Sequence, residues 1–324
     1  MTPSIRPFSV GRLPRITFGP GTVEEVPAAV ARHGRSALVL TGRSFAESPR
    51  WPALEKGLRG AGIRLLSAHA VRKKGQLIPT VKKAVRDGAP MVIVGGGDGS
   101  LSSSVDFLVD RDCVFALLPL GTANSFARTL GIPLDLDGAI ETIVNGTRRR
   151  IDLGVIDGDY FANTAAMGLS PLVGDSVPHK LKKYLGRFAY LFWGLWCLLW
   201  FRPFRLIVDD GSRTHELVAL EVRIANGRFV GGVEVVEDAE VDSGDIVVQA
   251  VVGHARRILI WNWIAMLARL PARRGNTKDI RGRKLRITTH PPLAISIDGE
   301  VCGKTPATVE IAARAIEVVV PADL

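Results

Sequence analysis

Short apolar runs alternate with helix-like segments along the first 120 residues of the chain. Strand-like runs lie at 36–41, 63–69, 91–94 and 114–118, and apolar residues recur at helical spacing within 51–62 and 80–87. Continuous apolar strands separated by helices are typical of a parallel sheet that is covered on both faces. We therefore predict an α/β domain over residues 1–147, with any ligand at the carboxyl ends of its strands.

The pattern changes after residue 147 to short strands bounded by Gly, Asp-Gly or Pro. Such runs lie at 150–156, 204–208, 217–225, 246–252, 284–288, 295–297 and 315–320. Short strands closed by turn residues indicate antiparallel pairing. We predict a second, antiparallel β domain over residues 148–324, interrupted by two helical insertions.

The two insertions are the longest apolar stretches of the chain. Residues 188–201 form an uncharged run of 14, which as a helix measures roughly 21 Å against about 30 Å for the hydrocarbon core of a bilayer. The run at 258–266 is shorter still, so we expect neither stretch to span a membrane. Residues 1–10 show no secretory pattern, and the three cysteines are widely spaced. We expect a cytoplasmic protein without disulfides or a zinc site.

Composition and charge narrow the classes of protein further. The chain has 324 residues, of which 47% are hydrophobic and 23% charged, values that exclude a disordered or fibrous protein. Its formal net charge is +10. Residues 171–205 hold six basic residues against one acid, and residues 250–290 hold ten against one. The positive charge therefore belongs to two segments, and the rest of the chain is mildly acidic.

Most of the tryptophan lies in the same two basic segments. Trp193, Trp196 and Trp200 fall at i, i+3 and i+7 on one face of a helix, and Trp261 and Trp263 follow in the second segment. Tryptophan beside clustered cations suits a helix at a membrane interface. A buried helix with solvated ends is the alternative. Because no DNA- or RNA-binding motif accompanies the charge, we expect no nucleic-acid partner.

A glycine run follows the strand at 91–94 and precedes a helical stretch. It includes Gly96, Gly97, Asp98, Gly99 and Ser100. Glycines let backbone N–H groups approach phosphate oxygens, and the next helix adds a favourable dipole. Asp98 would repel phosphate unless a metal ion or a hydrogen-bond donor intervenes. The run predicts a phosphate-binding loop with Asp98 as a metal ligand, and an ordinary strand-to-helix turn is the alternative.

A second loop of neutral donors follows the next strand. After 114–118 the chain reads Pro-Leu-Gly121-Thr122-Ala-Asn124, and a helical stretch begins there. The carboxyl ends of parallel strands meet at one edge of the sheet. The two loops together therefore form a candidate cradle for a polyphosphate.

A third motif, Asp298-Gly299-Glu300, lies far downstream between two β segments. Asp-Gly is a common hairpin signal, so a purely structural role is one interpretation. A carboxylate near the terminal phosphate of a nucleotide would, however, accept the proton of an attacking hydroxyl.

These motifs, in this order, resemble the diacylglycerol kinase catalytic family, which includes bacterial lipid kinases, sphingosine kinases and ceramide kinases. Further matches lie at 180–190, 202–205, 225–232 and 303–307, so the resemblance covers about residues 90–320. It implies an N-terminal α/β nucleotide-binding domain like that of NAD kinases and a C-terminal β-sandwich lipid-substrate domain. ATP would lie in the cleft between them.

The resemblance also implies the reaction and the role of each site residue. The γ-phosphoryl group of ATP would pass, with Mg²⁺, to the hydroxyl of a diacylglycerol-, ceramide- or sphingosine-like lipid. Glu300 would be the general base, supported by Asp298, and Asp98 would bind the metal. The nucleotide-binding set would comprise Gly96, Gly97, Asp98, Gly99, Ser100, Gly121, Thr122, Asn124 and Thr41.

Three family positions that are usually acidic are neutral in this chain. Ser102 and Ser103 occupy the place of an Asn-Glu pair. Ser125 replaces the Asp of the family motif Asn-Asp-Phe-Ala-Arg, and Ser243 replaces the second Asp of the motif Asp-Asp-Gly. Because Asp98, Asp298 and Glu300 remain, we expect an active enzyme with an unusual acceptor or metal dependence.

The first 80 residues resemble the family least. Residues 40–44, which include Thr41, replace the usual Asn-Pro-x-Ser-Gly loop, and residues 14–45 look more like the start of an iron-containing alcohol dehydrogenase. The six scattered histidines provide no iron-binding spacing, which argues against that enzyme.

The combined expectation is a peripheral lipid kinase at the inner face of the membrane, whose lipid substrate lies at an anionic surface. A homodimer is left open. Two alternatives also stay open: a catalytically impaired nucleotide- or lipid-binding protein of the same fold, and a soluble NAD kinase-like enzyme.

Overall fold

The computed structural model describes residues 75–169, 196–198, 200–267, 275–297 and 300–322, with short pieces at 8–9, 17–18, 36–37, 52 and 64–65. The chain divides into two compact units. The first comprises residues 1–120, 131–149 and 317–324, and the second comprises 121–130 and 150–316. Each unit is thus built from separate stretches of chain. The domain ranges 1–147 and 148–324 stay a prediction.

The helices of the described ranges fall on helical stretches indicated by the sequence, except the one at 136–145, which was not predicted. They are α1 (Leu77–Arg86), α2 (Asp98–Val105), α3 (Ser125–Thr129), α4 (Leu136–Asn145) and α5 (Arg256–Leu267). Helix α1 begins at Leu77, earlier than the predicted residue 80. Pro79 lies in its first turn, where a missing N–H group interrupts no intrahelical hydrogen bond. The predicted helix at 51–62 lies almost entirely outside the described residues.

The first unit contains parallel strand pairs, as predicted. Its strands are β1 (Phe8–Ser9), β2 (Thr17–Phe18), β3 (Ser36–Ala37), β4 (Arg64–Leu65), β5 (Met91–Gly96) and β6 (Val114–Pro119). β1 and β2 pair antiparallel, whereas β3 pairs in parallel with β4 and β5 in parallel with β6. The described parts of four predicted strands are therefore strands.

Burial explains why β5 and β6 are so apolar. Val92 and Val94 of β5 are buried, and β6 buries both faces through Phe115, Ala116 and Leu117. A strand covered on both sides by helices carries such a continuous run. The alternation of runs and helices thus predicted this sheet correctly.

The second unit is built on antiparallel strands, the first of which begins and the last of which ends in residues of the first unit. They are β7 (Thr147–Ile156), β8 (Asp159–Phe161), β9 (Thr164–Gly168), β10 (Phe204–Asp209), β11 (Thr214–Ala225), β12 (Phe229–Val230), β13 (Val233–Glu234), β14 (Ile246–Val252), β15 (Thr277–Gly282), β16 (Lys284–His290), β17 (Ala294–Ile297), β18 (Glu300–Lys304) and β19 (Ala307–Val320). Their order is β18-β17-β9-β11-β10-β16-β19, with β14 between β11 and β15 and β7 beside β8. The predicted fold class, α/β followed by antiparallel β, is confirmed.

The end of β19 corrects one prediction. Its residues 307–310 pair antiparallel with β16, but Glu317 and Val318 pair in parallel with Val114 and Phe115 of β6, within the first unit. The sequence placed 315–320 in the antiparallel region. Most of that run is buried, as a strand of a parallel sheet is. The apolar run predicts a strand, but it does not predict which strand residues 315–320 pair with.

Candidate active site

The glycine loop connects the end of β5 to the start of α2. Gly97 is the extended N-cap residue, and its carbonyl accepts hydrogen bonds from the N–H groups of Ser100 and Leu101. A Cβ at Gly96 would lie 2.7 Å from Cβ of Ser100, whereas one at Gly99 would meet no atom within 4 Å. Gly96 is therefore required by the close approach of the helix, and Gly99 lies on the open side of the loop.

Helix α2 carries Asp98 in its first turn, where a carboxylate interacts favourably with the helix dipole. The serines that follow bond to their own helix: Ser103 donates to the carbonyl of Gly99, and Ser104 to that of Ser100 at 2.8 Å. Ser103 occupies a position that is usually acidic in the family, and its hydroxyl forms a hydrogen bond within its own helix.

The second loop is shaped by Asn124. Its amide oxygen accepts from the N–H of Gly121 at 2.8 Å, and its amide nitrogen donates to the carbonyl of the same residue at 3.1 Å. Asn124 adopts a left-handed backbone conformation, which asparagine tolerates better than most residues. The side chain of Asn124 is buried, while that of Thr122 is exposed at the tip of the loop. Thr122 is therefore the hydroxyl that this loop displays.

Helix α3, which follows this loop, is tied to the rest of the second unit. The hydroxyl of Ser125 accepts the N–H of Gly232 at 3.0 Å, so the serine supplies one acceptor where the resembled family has a carboxylate. Gly232 has a φ of +84°, and a Cβ there would lie 3.1 Å from the carbonyl oxygen of Ala123. Glycine is needed at this contact.

Asn163 and Gly227 hold α3 in the second unit, and the sequence analysis assigned a role to neither. Thr129 of α3 donates to Oδ1 of Asn163 at 2.9 Å, and the Asn163 amide nitrogen donates to the carbonyl of Phe229. The carbonyl of Asn163 accepts both Asn226 N–H and Gly227 N–H at 2.9 Å. The one signal in the sequence was the family resemblance at residues 225–232, which includes Gly227 but not Asn163.

Glu300 is the first residue of β18, and its side chain is exposed. It pairs with Ile297 of β17, which pairs in turn with Ala165 of β9. Since Asn163 directly precedes β9, neighbouring elements of the second unit carry Glu300, Asn163 and α3. The predicted hairpin between two β segments is confirmed, whereas Asp298 and Thr41 lie outside the described residues. The assigned roles of the predicted site residues stay predictions.

The loop around Ser243 is closed by its own hydrogen bonds. The Ser243 hydroxyl contacts the carbonyl of Glu240 at 2.9 Å and Oδ1 of Asp245 at 2.7 Å, and the N–H of Gly244 donates to buried Asp152 at 2.7 Å. The serine thus keeps this loop folded without a second acid at its own position.

Among the residues that the structure describes, no three His, Cys, Asp or Glu side chains come together as a metal-binding group. Mg²⁺ in phosphate-transfer sites usually takes one or two carboxylates together with phosphate oxygens. A single carboxylate in a glycine loop, as Asp98 is, fits that donor set.

Comparisons with known proteins agree with this architecture. A model of the diacylglycerol kinase catalytic domain matches residues 44–156, and one of the YegS C-terminal NAD kinase beta sandwich-like domain matches residues 163–320. Diacylglycerol kinases of Staphylococcus aureus strains JH9 and Newman are each 28% identical over 263 residues, covering 80% of this chain and 83% of the relative.

Solved structures show the same fold. A diacylglycerol kinase from Bacillus anthracis str. Sterne superposes with a TM-score of 0.65 at 17% identity, covering 88% of this chain and 97% of that one. A candidate diacylglycerol kinase from the same organism gives a TM-score of 0.68 at 19% identity, covering 88% and 95%.

An α/β unit with a glycine loop, followed by a β sandwich-like domain of this kind, defines a phosphotransferase of the lipid kinase class. The chain belongs to the diacylglycerol kinase catalytic family. The family resemblance and the two-domain fold predicted from the sequence are thereby confirmed.

Proposed function

We propose that the protein transfers the γ-phosphoryl group of ATP to the hydroxyl of a membrane lipid of the diacylglycerol, ceramide or sphingosine type. The observation that carries the proposal is the tight turn from β5 to α2, in which Gly96 packs directly on Ser100. Such a turn places a glycine-rich helix N-terminus directly after the carboxyl end of β5, and helix N-termini of this kind bind phosphate through their backbone N–H groups. Membership in a kinase family implies ATP as the phosphoryl donor.

The residues of the two loops have distinct roles in this proposal. The N–H groups at the start of α2 would bind phosphate oxygens, and the exposed hydroxyl of Thr122 would donate to the nucleotide. Asp98 would hold Mg²⁺, which when bound neutralises charge that develops on the transferred group. Asn124 would act by holding the loop of Thr122 in shape.

Glu300 would be the general base. Its exposed carboxylate at the start of β18 can accept the proton of the lipid hydroxyl while the hydroxyl oxygen forms the new bond to γ-phosphorus. The bond from γ-phosphorus to the bridging oxygen breaks, and ADP leaves. Asp298 would support Glu300, as the family resemblance implies.

The test is transfer of labelled phosphate from ATP to diacylglycerol, ceramide and sphingosine in mixed micelles, with NAD as a soluble acceptor. Glu300→Gln should lower kcat by about 10²-fold or more with little change in ATP binding, because general-base catalysis contributes about that much. The matched control is Glu310→Gln, a carboxylate on β19 that pairs with Lys284 on the surface. Full activity of Glu300→Gln would show that Glu300 is not the base.

A second candidate function is a nucleotide- or lipid-binding protein without catalysis. The observation that favours it is the local use of the Ser103 and Ser125 hydroxyls at positions that the family usually makes acidic. Bound ATP with no labelled lipid would establish this candidate, and labelled NAD alone would establish a soluble NAD kinase-like enzyme.

A further inference from the structure

Exposed large hydrophobic side chains are concentrated in two short stretches of the second unit. Of seven such residues in the described ranges, five lie there: Trp196 (55% exposed), Trp200 (73%), Ile260 (39%), Trp261 (48%) and Ile264 (50%). Scattered exposed apolar residues are ordinary, but a contiguous set marks an interaction surface. Three of these five are tryptophans.

The exposed residues of α5 share one face of that helix. Ile260, Trp261 and Ile264 fall with Arg257 at i, i+3, i+4 and i+7, and all four are exposed. The opposite face, with Leu259 and Ala265, is buried. The sequence did not distinguish these faces, because the run at 258–266 has apolar residues on every side and its one polar residue, Asn262, is buried.

The inner face of α5 is fastened by a hydrogen-bonded network. Nε1 of Trp263 donates to Oε2 of buried Glu221 at 2.8 Å, and Arg223 donates to the same oxygen at 3.2 Å. Arg223 also donates to Gln249 at 3.0 Å. The two tryptophans of α5 therefore have different roles: Trp263 anchors the helix through its hydrogen bond, and Trp261 faces outward.

The two exposed stretches adjoin each other. Nε of Arg256, the first residue of α5, donates to the carbonyl of Phe201 at 2.7 Å. Leu198, Phe201 and Leu259 belong to one buried cluster. Trp196 and Trp200 are four residues apart, on one side of the helical turn that ends at this contact.

Cations border the exposed face. Arg202, Arg256 and Arg257 are exposed, and residues 196–202 and 253–267 contain no acidic residue. Indole rings next to arginine fit the headgroup layer of an anionic bilayer, where the rings meet acyl chains and the cations meet phosphates.

We propose that this surface docks the protein onto an anionic lipid bilayer; it is formed by Trp196, Trp200, Ile260, Trp261 and Ile264 with Arg202, Arg256 and Arg257. The proposal rests on the proposed function, since a lipid kinase must reach an acceptor held in a membrane. A second copy of the chain fits less well. A twofold interface places the same patch on both sides, so its arginines would face a patch that offers no acidic side chain to pair with them.

The first test is cosedimentation with phosphatidylcholine vesicles made with and without phosphatidylglycerol. The double variant Trp261→Ser/Ile264→Ser should bind the anionic vesicles at least tenfold more weakly. Arg257→Gln should weaken binding only to the anionic vesicles, and less so at high salt. The matched control is Trp263→Phe, which removes an indole from the inner face of α5 and replaces no side chain of the outer face. Thermal unfolding monitors the fold of every variant.

The second test separates docking from catalysis. The double variant should lose at least tenfold in activity on long-chain diacylglycerol in vesicles and keep the kcat of wild type on water-soluble dioctanoylglycerol. Unchanged vesicle binding by the folded double variant would overturn the docking proposal. The proposal would also be overturned if the wild type bound no vesicles and formed a dimer, and the double variant were a monomer. Wild-type protein that binds vesicles but phosphorylates no diacylglycerol, ceramide or sphingosine would overturn the proposed function and leave the docking surface intact.

Discussion

The hydroxyl of Thr129 donates a hydrogen bond of 2.9 Å to the amide oxygen of Asn163, 34 residues further along the chain. Asn163 is buried and also donates to the carbonyl of Phe229. One side chain, at the residue before β9, therefore connects α3 with β12.

Replacing Asn163 should destabilise the second unit. Asn163→Ala leaves the half-buried Phe229 carbonyl and Thr129 hydroxyl without this partner, and a polar group left unpaired away from water costs about 1–3 kcal/mol. We expect the free energy of unfolding in urea to fall by about 2 kcal/mol. Thr129→Ser keeps the hydroxyl and should change it little. Additive effects of Asn163→Ala and Thr129→Val in a double-mutant cycle would show that the two residues are not coupled.

Gly227 should not accept a larger side chain. A Cβ at this position would lie 2.1 Å from Oδ1 of Asn163 and 2.8 Å from the Thr129 side chain. Gly227→Ala should therefore destabilise the protein by about 1–3 kcal/mol, the usual cost of overpacking. At Gly303 a Cβ would meet no atom within 4 Å, so Gly303→Ala serves as the control. Equal urea midpoints for the two variants would contradict the predicted close contact.

The β10–β11 hairpin should contribute a pH-dependent stability. Asp210 accepts hydrogen bonds from the hydroxyl and N–H of Ser212 and from the N–H of Arg213, and lies 3.1 Å from Nε2 of His215. These bonds, the Ser212 hydroxyl first, hold the pKa of Asp210 well below its ordinary value of 3.8.

A lowered carboxyl pKa favours the folded state above the ordinary value, and this stabilisation is lost as the pH falls below it. The advantage of wild type over Asp210→Asn should be constant near neutral pH and shrink below pH 3.8. Ser212→Ala removes the main donor and should shift the loss of stability to higher pH. Urea midpoints measured across this range provide the check, and parallel profiles for all three proteins would contradict the assignment.

The cysteines should differ in reactivity. Burial, with a smaller effect of the Asp112 charge, raises the pKa of the Cys113 thiol to about 11. Cys302 is exposed, although partial burial raises its pKa as well. Because the thiolate is the nucleophile, iodoacetamide at neutral pH should modify Cys302 in the folded protein and Cys113 only in denaturant. Mass spectrometry of the labelled peptides separates the two, and equal labelling in the folded state would contradict the burial of Cys113.

Structural features that depend on residues close together in the sequence could be predicted from it. The apolar runs of β5 and β6 predicted a parallel sheet, because strands covered on both faces carry no polar alternation. The glycine loop was readable for a similar reason: Gly96 packs against Ser100, only one helical turn away.

Contacts between residues that are distant in the sequence could not be predicted from it. Asn163 has partners 34 and 66 residues away, and nothing in its neighbourhood marks an asparagine between two strands as a junction. Trp261 and Trp263 lie in one apolar run, and only the position of buried Glu221 determines which indole faces inward. The partner of residues 317 and 318 likewise depends on where β6 lies.

Strand β19 also bears on the order in which the protein folds as it is synthesised. Glu317 and Val318 pair with β6, although β6 itself emerges from the ribosome about 200 residues earlier. Until they arrive, that side of β6 exposes unpaired backbone groups on an apolar strand, which is an aggregation hazard for a nascent chain. The unit translated first is therefore completed last, and its folding awaits the synthesis of the other.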